Sequence, residues 1–259
     1  MKHRARKRFG QNFLQDESVI TRMVSSLKPA HDDRVIEVGP GLGALTLPLL
    51  SHLQSLTVIE IDRDLIERLR ARELANLIIH EGDVLKTDWH SLATGQRLRI
   101  VGNLPYNIGT PLLLQLLQSH PFIQDVHVML QKEVVDRLHA NIGTRAYGRL
   151  SVLIQSVFTV SPLFNVPPTA FDPIPKIDSA VVRLRTRTDA LPVAALTALQ
   201  RTTRLAFANK RKTLRNNFRG HLEEKQLASI GINPQARAET LSLNEFCCLS
   251  DLLDMNSPG

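Results

Sequence analysis

Between residues 34 and 131, short apolar runs rich in β-branched residues alternate with segments whose apolar positions recur every three to four residues. The runs at 34–38, 56–61, 77–80, 98–101 and 125–130 read as strands, and 44–53, 63–72 and 111–118 read as helices. Continuous apolar strands interleaved with helices predict a parallel sheet covered on both faces. The pattern then changes. Two strand-like stretches, 150–160 and 180–185, flank a proline-rich link at 167–175 and would close the sheet as an antiparallel pair. From about residue 190 helical spacing dominates, at 193–208, 211–217, 226–230 and 243–253. A boundary near 188 divides an α/β domain, residues 1–188, from a small helical domain, residues 189–259.

Composition narrows the class. A chain of 259 residues, 43% hydrophobic and 22% charged, can bury a sizeable core, which excludes a disordered tail or a disulfide-stapled miniature. No apolar run reaches the ~18 residues a membrane helix needs, so no membrane span is expected. The net charge of +7 is unevenly spread. Residues 1–10 hold Lys2, Arg4, Arg6, Lys7 and Arg8 without an acid, and 201–219 hold Arg201, Arg204, Lys210, Arg211, Lys212, Arg215 and Arg219, again without one. Without those twelve residues the rest of the chain sums to −5. Two basic patches on a mildly acidic body suit a phosphate backbone, although solvated faces would look the same by charge alone.

The basic start is followed by Phe9-Gly10-Gln11-Asn12-Phe13-Leu14-Gln15-Asp16-Glu17, not by the apolar core of a secretion signal. The adjacent Cys247 and Cys248 are poorly placed to pair with each other, so a reduced, cytoplasmic protein is expected. Nine histidines without metal-ligand spacing point to no metal, and nothing in the sequence demands an obligate interface, so the expectation is a monomer.

In parallel sheets ligands bind beyond the carboxyl ends of the strands. The first strand runs into Glu37-Val38-Gly39-Pro40-Gly41-Leu42-Gly43, whose glycines permit a tight turn and close backbone approach to a ligand. Their spacing departs from the dinucleotide fingerprint. Glu37 could fix this loop or hold a cationic group. At the second strand tip, Glu60 suits the two hydroxyls of a ribose and Asp62 suits the cap of the next helix. At the third, Asp83 can accept from the adenine amine, with Val84 beside the ring. Together these signals indicate a cofactor containing adenosine. At the fourth stand Asn103, Leu104, Pro105 and Tyr106. Asn103 Oδ1 and the Leu104 carbonyl can accept both hydrogens of a nucleobase amine while Tyr106 stacks on its face. A nicotinamide oxidoreductase, which shares the first three signals, has no evident use for such a pocket.

Residues 37–43 with Asn103-Leu104-Pro105-Tyr106 resemble the Rossmann-like S-adenosylmethionine-dependent adenine-N6 methyltransferases. The segments 6–14, 131–135, 147–151, 171–182 and 206–217 narrow the likeness to the ribosomal RNA adenine dimethyltransferases, over about residues 4–220, with Ile177 standing where valine is more usual. The resemblance implies a Rossmann-like α/β sheet with a C-terminal helical domain that docks on rRNA, and S-adenosylmethionine as methyl donor. It also implies a substrate of two adjacent adenosines near the 3′ end of 16S rRNA in the small ribosomal subunit or its precursor, and a role in small-subunit biogenesis. On its terms Asn12 and Leu14 line the methionine end of the cofactor, Gly39 lies in its loop, Glu60 holds ribose, and Asp83 with Val84 contacts adenine. Asn103 sits between cofactor and target amine, and Phe171 is a second aromatic wall facing Tyr106 across the flipped base. Asn12, Leu14 and Phe171 come from the resemblance alone.

Within the second patch, Thr203, Phe207, Lys210, Leu214 and Phe218 share one helical stripe, and Arg204, Arg211, Arg215 and Arg219 share another. In such a helix-rich docking element, a helix anchored by Phe207, Leu214 and Phe218 would turn those arginines toward rRNA phosphates. Two further readings remain beside the dimethyltransferase: a 23S rRNA adenine methyltransferase of the macrolide-resistance type, and a mainly non-catalytic ribosome assembly factor.

Overall fold

The computed structural model describes residues 11–256, so the basic patch at residues 1–10 lies outside the described residues. In chain order the elements are β1 (Phe13–Leu14), α1 (Glu17–Leu27), β2 (Val35–Val38), α2 (Thr46–Leu50), β3 (Leu56–Glu60), α3 (Arg63–Arg70), β4 (Leu77–Glu81), α4 (Trp89–Leu92), β5 (Leu98–Asn103) and α5 (Tyr106–Gln118). There follow β6 (Ile123–Gln131), α6 (Lys132–Leu138), α7 (Arg149–Gln155), β7 (Phe158–Val166), β8 (Phe171–Asp172), β9 (Ser179–Thr186), α8 (Val193–Ala206), α9 (Leu214–Asn217), α10 (Glu224–Ser229) and α11 (Leu243–Met255).

Seven strands form one sheet in the order β4-β3-β2-β5-β6-β9-β7. The pairs from β4 through β6 are parallel, and β9 is antiparallel to β6. All four residues of β2 are buried, as a central strand of a doubly covered sheet requires. The chain adds β3 and β4 on one side of β2 and then crosses to β5 on the other. The carboxyl ends of β2 and β5 are therefore the switch point where open α/β sheets bind ligands. Gly102 permits the two strands to meet there, because a Cβ on it would lie 2.5 Å from the Val38 carbonyl oxygen.

Helix α1 covers one sheet face. Asp16 caps it by accepting from the N–H groups of Ser18 and Val19, and Val19, Ile20, Met23, Val24 and Leu27 form its buried stripe. That stripe joins Val35, Val58, Val101, Met129 and Val181 in one core cluster. Beneath the same helix lies an ion cluster that the strand pattern concealed. Arg99 binds Asp125 through Nε at 3.0 Å and Nη2 at 2.8 Å, Asp33 at 2.6 Å and the Leu27 carbonyl at 2.7 Å. Burial works against the charge of both partners, yet the Asp125 carboxyl is held below its ordinary value by the neighbouring His127 and Arg99.

Two compact units divide the chain. One comprises the described residues through Val135 with Thr159–Thr186, and the other Asp136–Phe158 with the described residues from Arg187 onward. The chain crosses between them for the last time after Thr186, and the contribution of 136–158 to the helical unit has no counterpart in the sequence reading.

Two expected elements differ. The stretch 150–160 is not one strand: α7 occupies its first part and β7 starts only at Phe158. Ser151 to Ile154 are all buried, and a run without a polar face carries no period to tell helix from strand. The helix expected to be anchored by Phe207, Leu214 and Phe218 is broken. Helix α8 stops at Ala206, turns fill 207–212, and α9 is a separate four-residue helix. Asn217 explains the stop, since its Nδ2 donates to the Ala206 carbonyl at 2.7 Å and the Asn209 carbonyl at 3.3 Å, satisfying acceptors at the end of α8. Leu214 and Phe218 are nevertheless fully buried, Phe207 is half-buried, and Arg204, Arg211, Arg215 and Arg219 are exposed.

Candidate active site

A pocket of about 190 Å³ opens at the switch point. It is lined by Asn12, Leu14, Gly39, Glu60, Asp83, Val84, Asn103, Leu104, Tyr106 and Phe171, which come from six separate stretches of chain. The four candidate RNA-binding arginines belong to the other compact unit.

Gly39 follows β2 with φ +65°, a conformation that strains other L-residues, and donates its N–H to the Ile59 carbonyl at 2.9 Å. A Cβ there would meet no atom within 4 Å, so the absent side chain leaves open space beside the backbone. At the tip of β3, the Glu60 Oε1 accepts from the N–H groups of Ile61 at 2.8 Å and Asp62 at 2.9 Å, while Oε2 takes a longer 3.4 Å contact from Gly41. A carboxylate offers about four acceptor positions, so Oε2 keeps capacity for a ligand. Asp62 caps α3 by accepting from the Asp64 N–H, the task expected of it. Asp83 starts a single helical turn by accepting from Leu85, and its Oδ2 takes part in no described hydrogen bond.

Two carboxyl groups in this pocket are buried without a basic partner among the described residues. Glu37, 2% exposed, accepts from the Thr46 hydroxyl at 2.7 Å, which fixes the start of α2 against β2. Burial pushes its carboxyl up to about 8, opposed by the Thr46 bond and reinforced by the charge of Glu60. Burial also raises Glu60, against the pull of its three backbone donors.

The other half of the pocket is built by chain segments far apart in sequence. Asn103 Nδ2 donates to the Asn12 carbonyl at 3.0 Å, which leaves Oδ1 as an acceptor. The pairing of β1 with β8 sets Leu14 opposite Phe171, and Phe171 is buried at the pocket wall. Tyr106 begins α5, five residues ahead of the helix start expected at 111, and its hydroxyl lies 3.1 Å from Ser179 Oγ. Gln11, Phe13 and Ser179 escaped the sequence reading. Gln11 Nε2 donates to Asp62 at 3.0 Å, which ties this segment to the start of α3, and the Phe13 ring would lie 3.2 Å from a Cβ on Gly41, which seats the first strand on the glycine loop. Phe13 and Ser179 stand inside quoted motifs, but one residue in an unbroken motif announces no partner.

The pocket thus gathers Asn103, Tyr106 and Phe171 beside a glycine turn and two strand-end carboxylates. The model of the ribosomal RNA adenine dimethylase family matches residues 2–255. The chain belongs to the ribosomal RNA adenine dimethylase family. Among the members it resembles are proteins named ribosomal RNA small subunit methyltransferase A. That of Laribacter hongkongensis is 52% identical over 256 residues, covering 96% of each chain. That of Aliivibrio fischeri is 50% identical over 258 residues, covering 98% of this chain and 95% of its own. Solved structures agree. A dimethyladenosine transferase from Plasmodium falciparum superposes with a TM-score of 0.79 at 25% identity, covering 92% of this chain and 95% of that one. The 23S rRNA methyltransferase ErmE gives 0.70 at 27% identity, covering 94% of this chain and all of that one. As a dimethylase family member the chain is an rRNA adenine methyltransferase with a Rossmann-like fold.

Proposed function

We propose that this dimethylase transfers methyl groups from S-adenosylmethionine to N6 of two adjacent adenosines near the 3′ end of 16S rRNA, during small-subunit biogenesis. The observation that carries this reading is Asn103: its amide nitrogen donates to the Asn12 carbonyl, which leaves its oxygen to accept from an amine in a pocket walled by Tyr106 and Phe171. Identities of 50–52% with proteins named for the small subunit, against 27% with the 23S enzyme, support the 16S substrate.

The residues present fit S-adenosylmethionine. The open space beside Gly39 accommodates a bulky ligand against backbone, and the unpaired carboxyls of Glu37 and Glu60 suit one with net positive charge. Glu60 would hold the ribose, Asp83 and Val84 the adenine, and Asn12 and Leu14 the methionine end. When bound, this cofactor supplies a methyl group activated by a positively charged sulfur. The remaining work is positioning. The flipped target adenine stacks between Tyr106 and Phe171, and Asn103 Oδ1 with the Leu104 carbonyl accepts from its N6 hydrogens. Both hydrogen bonds favour a pyramidal nitrogen whose lone pair points along the line of displacement. Nitrogen becomes cationic on attack and its proton acidic, so water suffices to remove it.

Incubation with 30S subunits from a strain lacking this modification should dimethylate two adjacent adenosines, mapped by mass spectrometry of RNase fragments. Unmodified 30S subunits, with methylation instead of 23S rRNA supplied in a parallel reaction, sink the assignment. Asn103→Ala should lower the rate about 100-fold or more while leaving subunit binding intact. Full methylation by Asn103→Ala would remove Asn103 from the chemistry.

A further inference from the structure

The two aromatic walls belong to distant parts of the chain, yet hydrogen bonds close them into a ring. Asn103 Nδ2 reaches the Asn12 carbonyl at 3.0 Å. Two residues on, Leu14 pairs with Phe171 between β1 and β8. From Phe171 the chain passes through 172–178 to Ser179 on β9, where the Asp178 carbonyl is anchored by the Lys132 N–H at 3.0 Å. Ser179 Oγ then meets the Tyr106 hydroxyl at 3.1 Å, and Tyr106 follows Asn103 by three residues. Every other link in this ring acts on backbone or on Asn103. The Ser179 contact alone grips an aromatic wall, at the far end of its ring, and Ser179 is 1% exposed, so water cannot easily replace it.

We propose that Ser179 is a positioning residue for the second methyl transfer, holding the Tyr106 ring where it can align N6-methyladenosine. This rests on the dimethylation reading above. Adenine offers two N6 hydrogens, so two acceptors orient it in the first transfer. The monomethylated base keeps one, and one of those two anchors is lost. Its alignment then depends on the stacking walls. In that step the N6 lone pair forms the new bond to the methyl carbon as the carbon–sulfur bond breaks. The bonding pair stays on sulfur to give S-adenosylhomocysteine, and the last N6 proton leaves to water. A Tyr106 ring released at its hydroxyl end disturbs both transfers, but only in the first does a second hydrogen bond compensate.

Ser179→Ala and Tyr106→Phe each remove one hydroxyl of the pair without removing a wall. On 30S subunits lacking the modification, a time course by mass spectrometry should show the second methylation slowed about tenfold more than the first, the worth of one hydrogen bond. Monomethyladenosine therefore accumulates, and the double variant is no worse than either single one. The chain holds two tyrosines, Tyr106 and Tyr147, so 3-fluorotyrosine labelling gives two ¹⁹F signals. The Tyr106 signal, identified by its absence in Tyr106→Phe, should shift in Ser179→Ala while that of Tyr147 stays. A wild-type ratio of mono- to dimethylated product in both variants, or an unmoved Tyr106 signal, overturns the role of Ser179. Failure of the wild-type enzyme to dimethylate the subunits strikes instead at the function it rests on.

Discussion

Glu37 is a carboxyl group in the middle of a fully buried strand, and its protonation links the stability of the empty pocket to what the pocket binds. Burial raises it to about 8, so the folded protein favours the neutral acid and the unfolded chain the ion. For an acid shifted upward, stability is lost as pH rises from the ordinary carboxylate value through the folded one. Without ligand, Glu37→Gln should therefore melt above the wild type at pH 8, by the equivalent of a few kcal/mol, and the gap should close toward pH 5. Scanning calorimetry at the two pH values measures it. Binding a cation reverses the preference: calorimetric affinity of the wild type for S-adenosylmethionine should climb between pH 7 and 9, while that of Glu37→Gln stays flat. At this scale the sequence was informative where a residue stands at a strand tip, as Glu60, Asp83 and Asn103 do. It was silent on partners supplied by another segment, such as Ser179 for Tyr106, because neither local spacing nor residue type encodes a meeting 73 positions away.

Elements differ in how openly the sequence declares them. Strands β2, β3 and β5 stand out as apolar runs between turns, whereas β1 and β8 are two residues each, too short to show any alternation. Yet β1 and β8 bring Leu14 and Phe171 to the pocket wall. The charged pair inside β5 and β6 was hidden for another reason, since Arg99 and Asp125 face each other only once strand register is known. Arg99→Met leaves the buried Asp125 and the partly buried Asp33 without their guanidinium, and should cost about 3–5 kcal/mol in urea denaturation. Arg99 starts β5 and the pocket lies at its other end, so cofactor affinity should be unchanged in the fraction that folds. Reduced affinity in a fully folded variant would reveal coupling along the strand.

For the whole molecule, the basic segment 201–219 is divided by its own turns, but the division keeps the anchoring residues inside and the arginines outside. Arg215 spends part of its charge on Glu224 at 3.1 Å, an exposed pair of little energetic worth. Arg204, Arg211 and Arg219 are the better reporters of docking. Reversing all three to glutamate should weaken rRNA binding and flatten its dependence on log salt by about two to three units, with affinity for S-adenosylmethionine retained. An unaltered salt slope would falsify the docking assignment.

The pairing of Leu14 with Phe171 also sets a timetable for synthesis. A nascent chain emerges from its amino end, so the first described strand must wait for a partner 157 residues behind it. The central strands can assemble earlier, around the glycine turn and its carboxylates. The chamber for the base closes only when Phe171 and Ser179 have left the exit tunnel. An enzyme that edits ribosomes thus cannot complete this pocket until the ribosome making it has read well past Ser179.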